Sequence, residues 1–321
     1  MSLLSKRWRR VWYSIPSLDF SDADIWRFRY RRRKSFYKFV HKFLKHREAG
    51  MRYISDSVIT RFKFDVEFCG GSSALDNCLS FAIWRNIEEF DLRAKPKFKD
   101  KLYCGYCCLP EAVLNARPLV VLKLDSLKLN GSCSVTLPSL KSLSLTAVKL
   151  DDHMLKSLLL GCPSVEKFNL KECIGLLNPI ISSLSIKFME IATDCKTVRV
   201  EATNVESLVY SGFCADVNLS ACKAIKSLSL LTNRLNDQSL EDIIFELPLL
   251  ETLNLSRCYE LRYIKICGHH LKSVSLEKAY NEAAVLSVET PNLVSFSYKG
   301  DTRFILRMKS TNLPNGNFII D

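Results

Sequence analysis

The stretch from Leu250 to Leu261 reads LETLNLSRCYEL, with apolar residues at positions one, four, six and twelve and a cysteine at position nine. Residues 165–176, VEKFNLKECIGL, repeat this arrangement with other apolar residues. Successive side chains of an extended strand point to opposite faces, so positions four and six share one face and positions three and five share the other. Each stretch therefore predicts a short strand with one buried and one exposed face.

The first six positions of this pattern, L-x-x-L-x-L, recur along most of the chain. Copies begin 19 to 25 residues apart, at Leu119, Leu140, Val165, Ile186, Val205, Ile225, Leu250, Leu271 and Leu293. A unit of this size cannot close a hydrophobic core alone, so neighbouring units stack and share one. We predict an α/β leucine-rich-repeat solenoid: a curved single parallel sheet, with short helices or short strands on its convex side and a helical N-terminal cap.

The longer intervals contain the sequences for helices. Asp151 and Asp152 precede one apolar helical stripe, and Asn236 and Asp237 precede another, so each pair can cap a helix. The shorter intervals leave room only for return strands, which we expect near residues 262–266 and 285–288. Cys173 and Cys258, at position nine, are interpreted as buried structural thiols in the turn after the strand.

The N-terminal part contains two weaker units, which begin at Ile59 and Ile87, with a capped helix between them. Residues 34–49 predict an amphipathic helix that ends at Gly50 and covers the open end of the solenoid. Its apolar stripe consists of Phe36, Phe39, Val40, Phe43 and Leu44. At the other end of the chain, residues 303–308 predict a last edge strand, and a loose tail follows.

Charge and cysteine content restrict the class of protein. The net charge is +12, and the first fifty residues carry 14 basic and 4 acidic groups, so the rest of the chain is nearly neutral. The 13 cysteines lack the regular spacing of a disulfide framework, which suits reduced thiols in the cytoplasm or nucleus. Basic residues near the N-terminus interrupt any signal-peptide core, and no apolar run is long enough for a membrane helix.

Several of these segments together resemble the plant F-box/leucine-rich-repeat proteins. The resemblance covers essentially the whole chain. Residues 4–12 and 15–20 are similar to the last F-box helix and its exit, and residues 79–92 are similar to the first repeat region of that family. Residues 137–145, LPSLKSLSL, and 161–168, GCPSVEKF, are also typical of it.

The resemblance implies a division of the chain into four parts. Residues 1–20 would be a remnant of the F-box, and residues 21–50 a basic linker with the capping helix. Residues 51–310 would form the repeats, and residues 311–321 the tail.

The resemblance also implies a role as a substrate-receptor subunit of an SCF-type, cullin-RING E3 ubiquitin ligase. In such a complex the F-box docks a Skp-type linker subunit, and the repeats hold the protein substrate. Leu4, Trp8 and Trp12 would be what remains of the linker contact. A lone helix of about ten residues is marginal in water, so we expect this segment to bind the linker weakly or not at all.

No catalytic constellation emerges from the sequence. The five histidines lie outside any recognisable nucleophile or metal motif. Cys104 and Cys107 form one C-x-x-C pair, but a structural zinc site needs four ligands, so reduced loop cysteines are favoured. We therefore predict no enzymatic activity, no metal and no cofactor.

A basic run interleaved with aromatic residues, RFRYRRRK, occupies positions 27–34. This composition is typical of a solvated linker, of a nuclear-import signal or of a segment that contacts nucleic acid, and the alternatives stay open. The linker interpretation is favoured, and neither a membrane nor a nucleic-acid partner is expected.

Positions three and five of each repeat predict the exposed concave face of the sheet. Most of them are small hydroxyl or amide residues: Ser142, Ser144, Ser207, Ser227, Ser229, Thr252, Asn254, Ser273, Ser275, Ser295 and Ser297. The exceptions cluster in three consecutive units: Lys167, Asn169, Phe188, Glu190 and Val209. We predict that these five residues bind the partner protein.

Position two alternates in charge through seven units: Lys141, Glu166, Lys187, Glu206, Lys226, Glu251 and Lys272. Neighbouring strands lie about 4.8 Å apart, so like charges in one column would repel each other. We expect the column to pair opposite charges and to fix the strand register.

The sequence thus predicts a non-catalytic protein-interaction module of the substrate-receptor type. The alternatives are a repeat scaffold that binds a partner without recruiting a ligase, and a nucleic-acid-associated protein that uses the basic N-terminal segment.

Overall fold

The computed structural model describes most of the chain, in eleven segments. They are residues 11–22, 31–51, 59–68, 79–80, 87–96, 106–131, 133–212, 216–277, 284–300, 304–308 and 315–320. The chain divides into two compact units, Met1–Leu150 and Asp151–Asp321.

The described part of the first unit contains a parallel sheet in the strand order β1-β2-β3-β5-β7. These strands are β1 Ser17–Ser21, β2 Arg61–Phe68, β3 Glu89–Pro96, β5 Val121–Asp125 and β7 Ser142–Thr146. Two short strands pair separately, β4 Cys107–Cys108 and β6 Leu127–Lys128. Its helices include α1 Arg31–Met51 and α2 Glu111–Leu114.

The described part of the second unit contains parallel strands in the order β8-β10-β12-β14-β15-β17-β19-β21. These main strands are β8 Lys167–Lys171, β10 Phe188–Ala192, β12 Ser207–Ser211, β14 Ser227–Leu231, β15 Thr252–Ser256, β17 Ser273–Glu277, β19 Ser295–Gly300 and β21 Asn315–Ile320. The helices are α3 Asp152–Leu160 and α4 Asp237–Glu246.

Return strands connect the main strands of the second unit. They form two small parallel sheets, one of β9 Ile180–Ser182, β11 Thr197–Glu201 and β13 Asp216–Asn218, the other of β16 Tyr263–Cys267, β18 Ala284–Glu289 and β20 Phe304–Met308. The predicted return strands near residues 262–266 and 285–288 correspond to β16 and β18. Successive parallel repeats with short helices or strands between them confirm the leucine-rich-repeat solenoid.

The core consists of positions one, four and six of the repeats. In the repeat that begins at Leu250, the side chains of Leu250, Leu253 and Leu255 are all buried, and Leu253 is fully buried. Cys258 is buried as well, and burial raises the pKa of its thiol to about 11, so the thiol stays protonated at neutral pH. Its Sγ donates to the carbonyl oxygen of Ser256. The structural interpretation of position nine is confirmed.

The N-terminal end differs from the sequence expectation. Residues 17–20, which we assigned to the F-box remnant, form β1 together with Ser21, and β1 pairs in parallel with β2. Exposed and buried side chains alternate along this strand, and Leu18 and Phe20 are the buried ones. Parallel strands need a crossover connection, and α1 provides it between β1 and β2. The helix therefore lies over the first two strands: Phe43 contacts Phe20 at 5.3 Å between ring centroids, and Phe36 contacts Phe64 at 6.1 Å.

Two details of the capping helix were predicted wrongly. Gly50 does not end α1, which continues to Met51. A Cβ at this position would overlap the ring of Tyr13, so glycine permits a close approach here. Phe39 is 55% exposed, whereas Arg47 on the inner face is fully buried.

Residues 311–321 were predicted as a loose tail, but Asn315–Ile320 forms β21, which pairs in parallel with β19 and adds a strand to the sheet. The predicted edge strand at residues 303–308 is β20, which lies in a return sheet. The predicted helix between Ile59 and Ile87 falls mostly outside the described residues.

Candidate protein-binding surface

The five residues predicted to bind a partner lie on three adjacent strands of the second unit. Phe188 on β10 is in register with Lys167 on β8 and with Ser207 on β12. Glu190 is in register with Asn169 and Val209 in the same way. The register therefore brings all five side chains onto one face of the main strands, which we call the open face.

The patch formed by Lys167, Asn169, Phe188, Glu190 and Val209 has an apolar centre with charges around it. Phe188 is 47% exposed and Val209 is 39% exposed. The ammonium nitrogen of Lys167 lies 5.9 Å from the centroid of the Phe188 ring, at the outer limit of a cation–π contact. Lys171 Nζ lies 2.7 Å from Glu190 Oε1. The open face thus presents an aromatic and an aliphatic side chain within a charged border.

A floor of small polar side chains continues from the patch across β12, β14, β15, β17 and β19. All of its members are half-buried: Ser207, Ser227, Ser229, Thr252, Asn254, Ser273, Ser275, Ser295 and Ser297. Short hydroxyl and amide groups can hydrogen-bond to a partner's backbone but bury little apolar area. The patch is therefore where burial can contribute most to binding on this face.

Charged residues at position seven and on the strands of the first unit were not among the predicted binding residues. Lys171 occupies position seven and pairs with Glu190, which reduces the free charge of the patch. In the first unit, Arg93 Nε lies 2.7 Å from Asp125 and Lys63 Nζ lies 3.1 Å from Asp19. The alternation that exposes positions three and five also exposes position seven, so extending the strand by one residue pair would have revealed Lys171, Arg93 and Asp125. Lys63 lies at position five of its repeat.

Of the three residues predicted to contact the linker subunit, the structure describes one, Trp12. Leu4 and Trp8 lie outside the described residues. Trp12 is half-buried and its ring packs edge-on against Phe43 of α1, with centroids 4.8 Å apart. The guanidinium group of Arg47 donates to the carbonyl oxygens of Trp12 and Ile15. The expectation of a lone helix without a packing partner is therefore wrong for Trp12, because α1 supplies that partner.

Other predicted features give no further site in the described part of the chain. Cys107 is buried in β4, and Cys104, the other member of the C-x-x-C pair, lies outside the described residues. Within the described ranges, no group of three or more histidine, cysteine or acidic residues is arranged to hold a metal ion. No helix that the structure describes is both long and apolar enough to cross a membrane. Of the basic run at positions 27–34, only the backbone of residues 31–34 is described, as the start of α1.

The charge column at position two forms ion pairs in the second unit. Lys226 Nζ lies 3.3 Å from Glu206 Oε2, and Lys272 Nζ lies 2.9 Å from Glu251 Oε2. The hydrogen bond from Lys272 lowers the pKa of the Glu251 carboxyl group. These contacts join neighbouring strands, as the alternation predicts.

Reversing one charge in this column should destabilise the fold in a salt-dependent way. Glu206→Lys removes the pair with Lys226 and places cations side by side with Lys187 and Lys226. We expect a loss of up to about 1 kcal/mol in the free energy of unfolding at low salt, because exposed pairs are weak. At high salt the loss should shrink, because ions screen exposed charges.

The measurement is urea unfolding at two salt concentrations. Glu260→Lys, at an exposed position outside the column, makes the same change in net charge and should show little salt dependence. An equal loss for Glu206→Lys at both salt concentrations would show that repulsion between neighbouring strands is not the cause.

Comparison with known proteins identifies the repeats. Residues 75–226 match the family model of the leucine-rich repeats of the FBD-associated F-box protein At5g56370. Residues 207–315 match the model of the leucine-rich-repeat domain of At1g61320/AtMIF1. No solved structure matches the chain.

Curated relatives come from Arabidopsis thaliana. The putative F-box protein At1g49610 is 32% identical over 59% of this chain and 43% of its own length. F-box/LRR-repeat protein 13 is 28% identical over 53% of this chain and 35% of its own length. F-box/LRR-repeat protein 25 is 28% identical over 62% of this chain and 65% of its own length.

The matched part of the chain thus covers less than two thirds of each of these relatives. The two family models together extend over residues 75–315, which include most of the parallel repeats described above. Over residues 75–315, the chain is therefore similar to the leucine-rich repeats of plant F-box proteins.

Proposed function

We propose that the chain is a non-catalytic protein-interaction module that acts as the substrate receptor of an SCF-type, cullin-RING E3 ubiquitin ligase. Its repeats bind a protein substrate through the open-face patch of Lys167, Asn169, Phe188, Glu190 and Val209. The observation that supports this most directly is the exposed Phe188 beside Val209 on a face otherwise made of small polar side chains. It acts without a cofactor, in the cytoplasm or nucleus.

The patch has the composition of a binding hot spot. Aromatic side chains contribute much of the binding energy at protein interfaces when polar neighbours exclude water around them. Phe188 would insert into an apolar pocket of the substrate, while Lys167 and Asn169 remain at the border. The hydroxyl floor on β12 to β19 would then accept and donate hydrogen bonds to the substrate, as the polar rim of an interface does.

The linker and cullin are the partners that recruitment to a ligase requires. The relatives' names include the F-box, and this supports a Skp-type linker as a partner. Trp12 packs on α1, so it serves the folded N-terminal unit in addition to any docking role. This contact favours a second candidate function, a repeat scaffold that binds its partner without recruiting a ligase.

Affinity purification of the tagged chain from plant tissue tests both candidates. We expect Phe188→Ser with Val209→Ser to reduce recovery of the substrate about tenfold, which corresponds to about 1.4 kcal/mol of binding free energy. Linker and cullin subunits should be recovered equally with both proteins. Their absence, with the substrate still bound, would support the scaffold instead.

A matched control separates the patch from general damage. Tyr263→Ser with Ile180→Ser replaces an aromatic and an aliphatic residue on return strands, where they are 68% and 42% exposed. This variant should recover the substrate as the unmodified chain does. If both double variants bind the same proteins equally well, the open-face patch is not the binding site.

A further inference from the structure

A groove runs along the carboxyl ends of five neighbouring main strands, β8, β10, β12, β14 and β15. Its volume is about 830 Å³, and its lining includes Glu172, Thr193, Gly212, Asn233, Arg257 and Tyr259. Neighbouring strands lie about 4.8 Å apart, so five strands span about 19 Å. The groove also adjoins the proposed patch, because Ala192 in its wall follows Glu190 by two residues on the same face of β10.

The repeat itself forms one wall of this groove. At position eight the backbone N–H of Glu172, Thr193 and Arg257 donates to the carbonyl oxygen of the last residue of the next strand, at 2.6, 3.1 and 3.0 Å. Glu172 and Arg257 adopt left-handed backbone angles, with φ of 52° and 56°. These hydrogen bonds fix the wall before any ligand arrives, which favours binding.

Gly212 permits a close approach of two backbone segments in the middle of the groove. A Cβ at this position would lie 2.4 Å from the backbone oxygen of Thr193, so the chain segments approach more closely than any other residue would permit. The N–H of Gly212 donates to the Leu231 carbonyl oxygen at 3.1 Å.

Two polar atoms in the wall have unmet hydrogen-bonding capacity. Thr193 is only 4% exposed, and neither its Oγ1 nor the Oδ1 of Asn233 has a hydrogen-bond partner among the described residues. Buried polar atoms in proteins are nearly always hydrogen-bonded. A hydroxyl group can donate and accept, and an amide oxygen accepts, so a fitting ligand presents both N–H and C=O groups. A polypeptide backbone does so at every residue.

The two ends of the groove carry opposite charges. Glu172 and Asp194, which follow β8 and β10, are acidic, and Arg257, which follows β15, is basic. All three side chains are exposed, and Glu172 and Arg257 form no ion pair with another residue that the structure describes. An extended peptide rises about 3.3 Å per residue, so about six residues match a length of about 19 Å.

We propose that this groove binds an extended segment of about six residues from the partner protein, with a basic side chain near Glu172 and an acidic side chain near Arg257. The proposal rests on the proposed function and adds the sequence character of the recognised segment. The order of the charged side chains along the segment decides which sequences bind. The polar atoms of Thr193 and Asn233 form hydrogen bonds with the backbone of the segment.

The test uses the purified full chain and three fluorescein-labelled hexapeptides, followed by fluorescence anisotropy up to millimolar protein. The peptides share a centre of serine and alanine and carry lysine and glutamate, two lysines or two glutamates at their ends. We expect the mixed-charge peptide to bind about three- to fivefold more tightly than the others, as exposed charge pairs allow. Arg257→Glu should make the two-lysine peptide the tightest ligand, whereas Arg199→Glu, on return strand β11, should keep the original order.

A second variant tests the polar wall. Thr193→Val removes an unpartnered hydroxyl group from a buried position and should weaken all three peptides about equally, without loss of stability. Thr290→Val is the matched control, because Thr290 is also fully buried with an unpartnered Oγ1 and lies outside the groove. We expect it to leave binding unchanged.

The outcomes separate this inference from the proposed function. Absence of peptide binding, an unchanged charge preference in Arg257→Glu, or equal effects of the two threonine variants overturns the groove proposal. If Phe188→Ser with Val209→Ser still loses the substrate in that case, the proposed function stands. If the peptides bind with the expected order but the patch variant retains the substrate, the patch is wrong and the groove stands.

Discussion

Replacing Leu253 by alanine should lower the free energy of unfolding by about 2–5 kcal/mol, one of the two largest effects we expect. Leu253 is fully buried at position four of its repeat and lies in register between Leu228 on β14 and Val274 on β17. Both neighbouring strands hold β15 in place, so the cavity can collapse only partly. Urea unfolding should show a lower midpoint with an unchanged slope.

The control for this prediction lies on the same strand. Thr252 is half-buried on the open face, and Thr252→Ala should change the free energy of unfolding by less than about 0.5 kcal/mol, as most surface substitutions do. If the two variants unfold at the same urea concentration, the assignment of buried and open faces is incorrect.

Asp237→Ala should lower the free energy of unfolding by about 1–3 kcal/mol, because the Asp237 carboxylate forms charge-assisted hydrogen bonds that hold the next segment. Its two oxygens accept from the backbone N–H groups of Arg262 and Tyr263, at 2.8 and 3.1 Å. Alanine leaves both donors to water and detaches the start of β16 from α4. Thermal unfolding measures the loss, and faster amide exchange in β16 locates it.

Asp242→Ala is the matched control for this carboxylate. Asp242 lies on α4 too, but its hydrogen bond, from Gln238 Nε2 at 2.8 Å, stays within the helix. The expected loss is only about 0.5 kcal/mol, typical of a side-chain pair on a helix surface. An equal loss from both aspartates would mean that the link to β16 contributes nothing.

A carboxylate also accepts hydrogen bonds from a later segment at α3, the other helix of the second unit. Asp152 accepts from the N–H groups of Leu177 and Asn178, at 3.2 and 3.0 Å. In both helices the residue before it is the N-cap: Asp151 accepts from Met154 N and Asn236 accepts from Ser239 N. The sequence predicted that each pair caps its helix. In the structure the first residue of each pair is the cap, and the second holds a segment 25 and 26 residues later that leads into a return strand.

The repeat spacing predicts only part of the candidate binding site. The spacing of the repeats placed Lys167, Phe188 and Val209 on neighbouring strands, and the register of β8, β10 and β12 agrees with that placement. The pairing of Lys171 with Glu190 depends on side-chain reach between strands, which the repeat pattern does not specify. The groove depends on the loops after the strands, whose sequences follow no common pattern.

The sequence by itself determined which faces of the repeats are buried. Side chains alternate along a strand, so an L-x-x-L-x-L pattern assigns its faces locally, and a shift of one residue would expose the whole apolar set. The order of the main strands follows too, because each unit can bury its apolar residues only against the next unit along the chain.

Only the tertiary structure decided the roles of residues whose partners are distant in the chain. Arg47 lies outside the apolar stripe predicted for its helix, yet it is fully buried, and the carbonyl groups of Trp12 and Ile15 accept its hydrogen bonds. Gly50 was interpreted as a helix end, but it faces the Tyr13 ring. A periodic pattern contains no information about such contacts, because they depend on where another segment lies and not on the spacing of apolar residues.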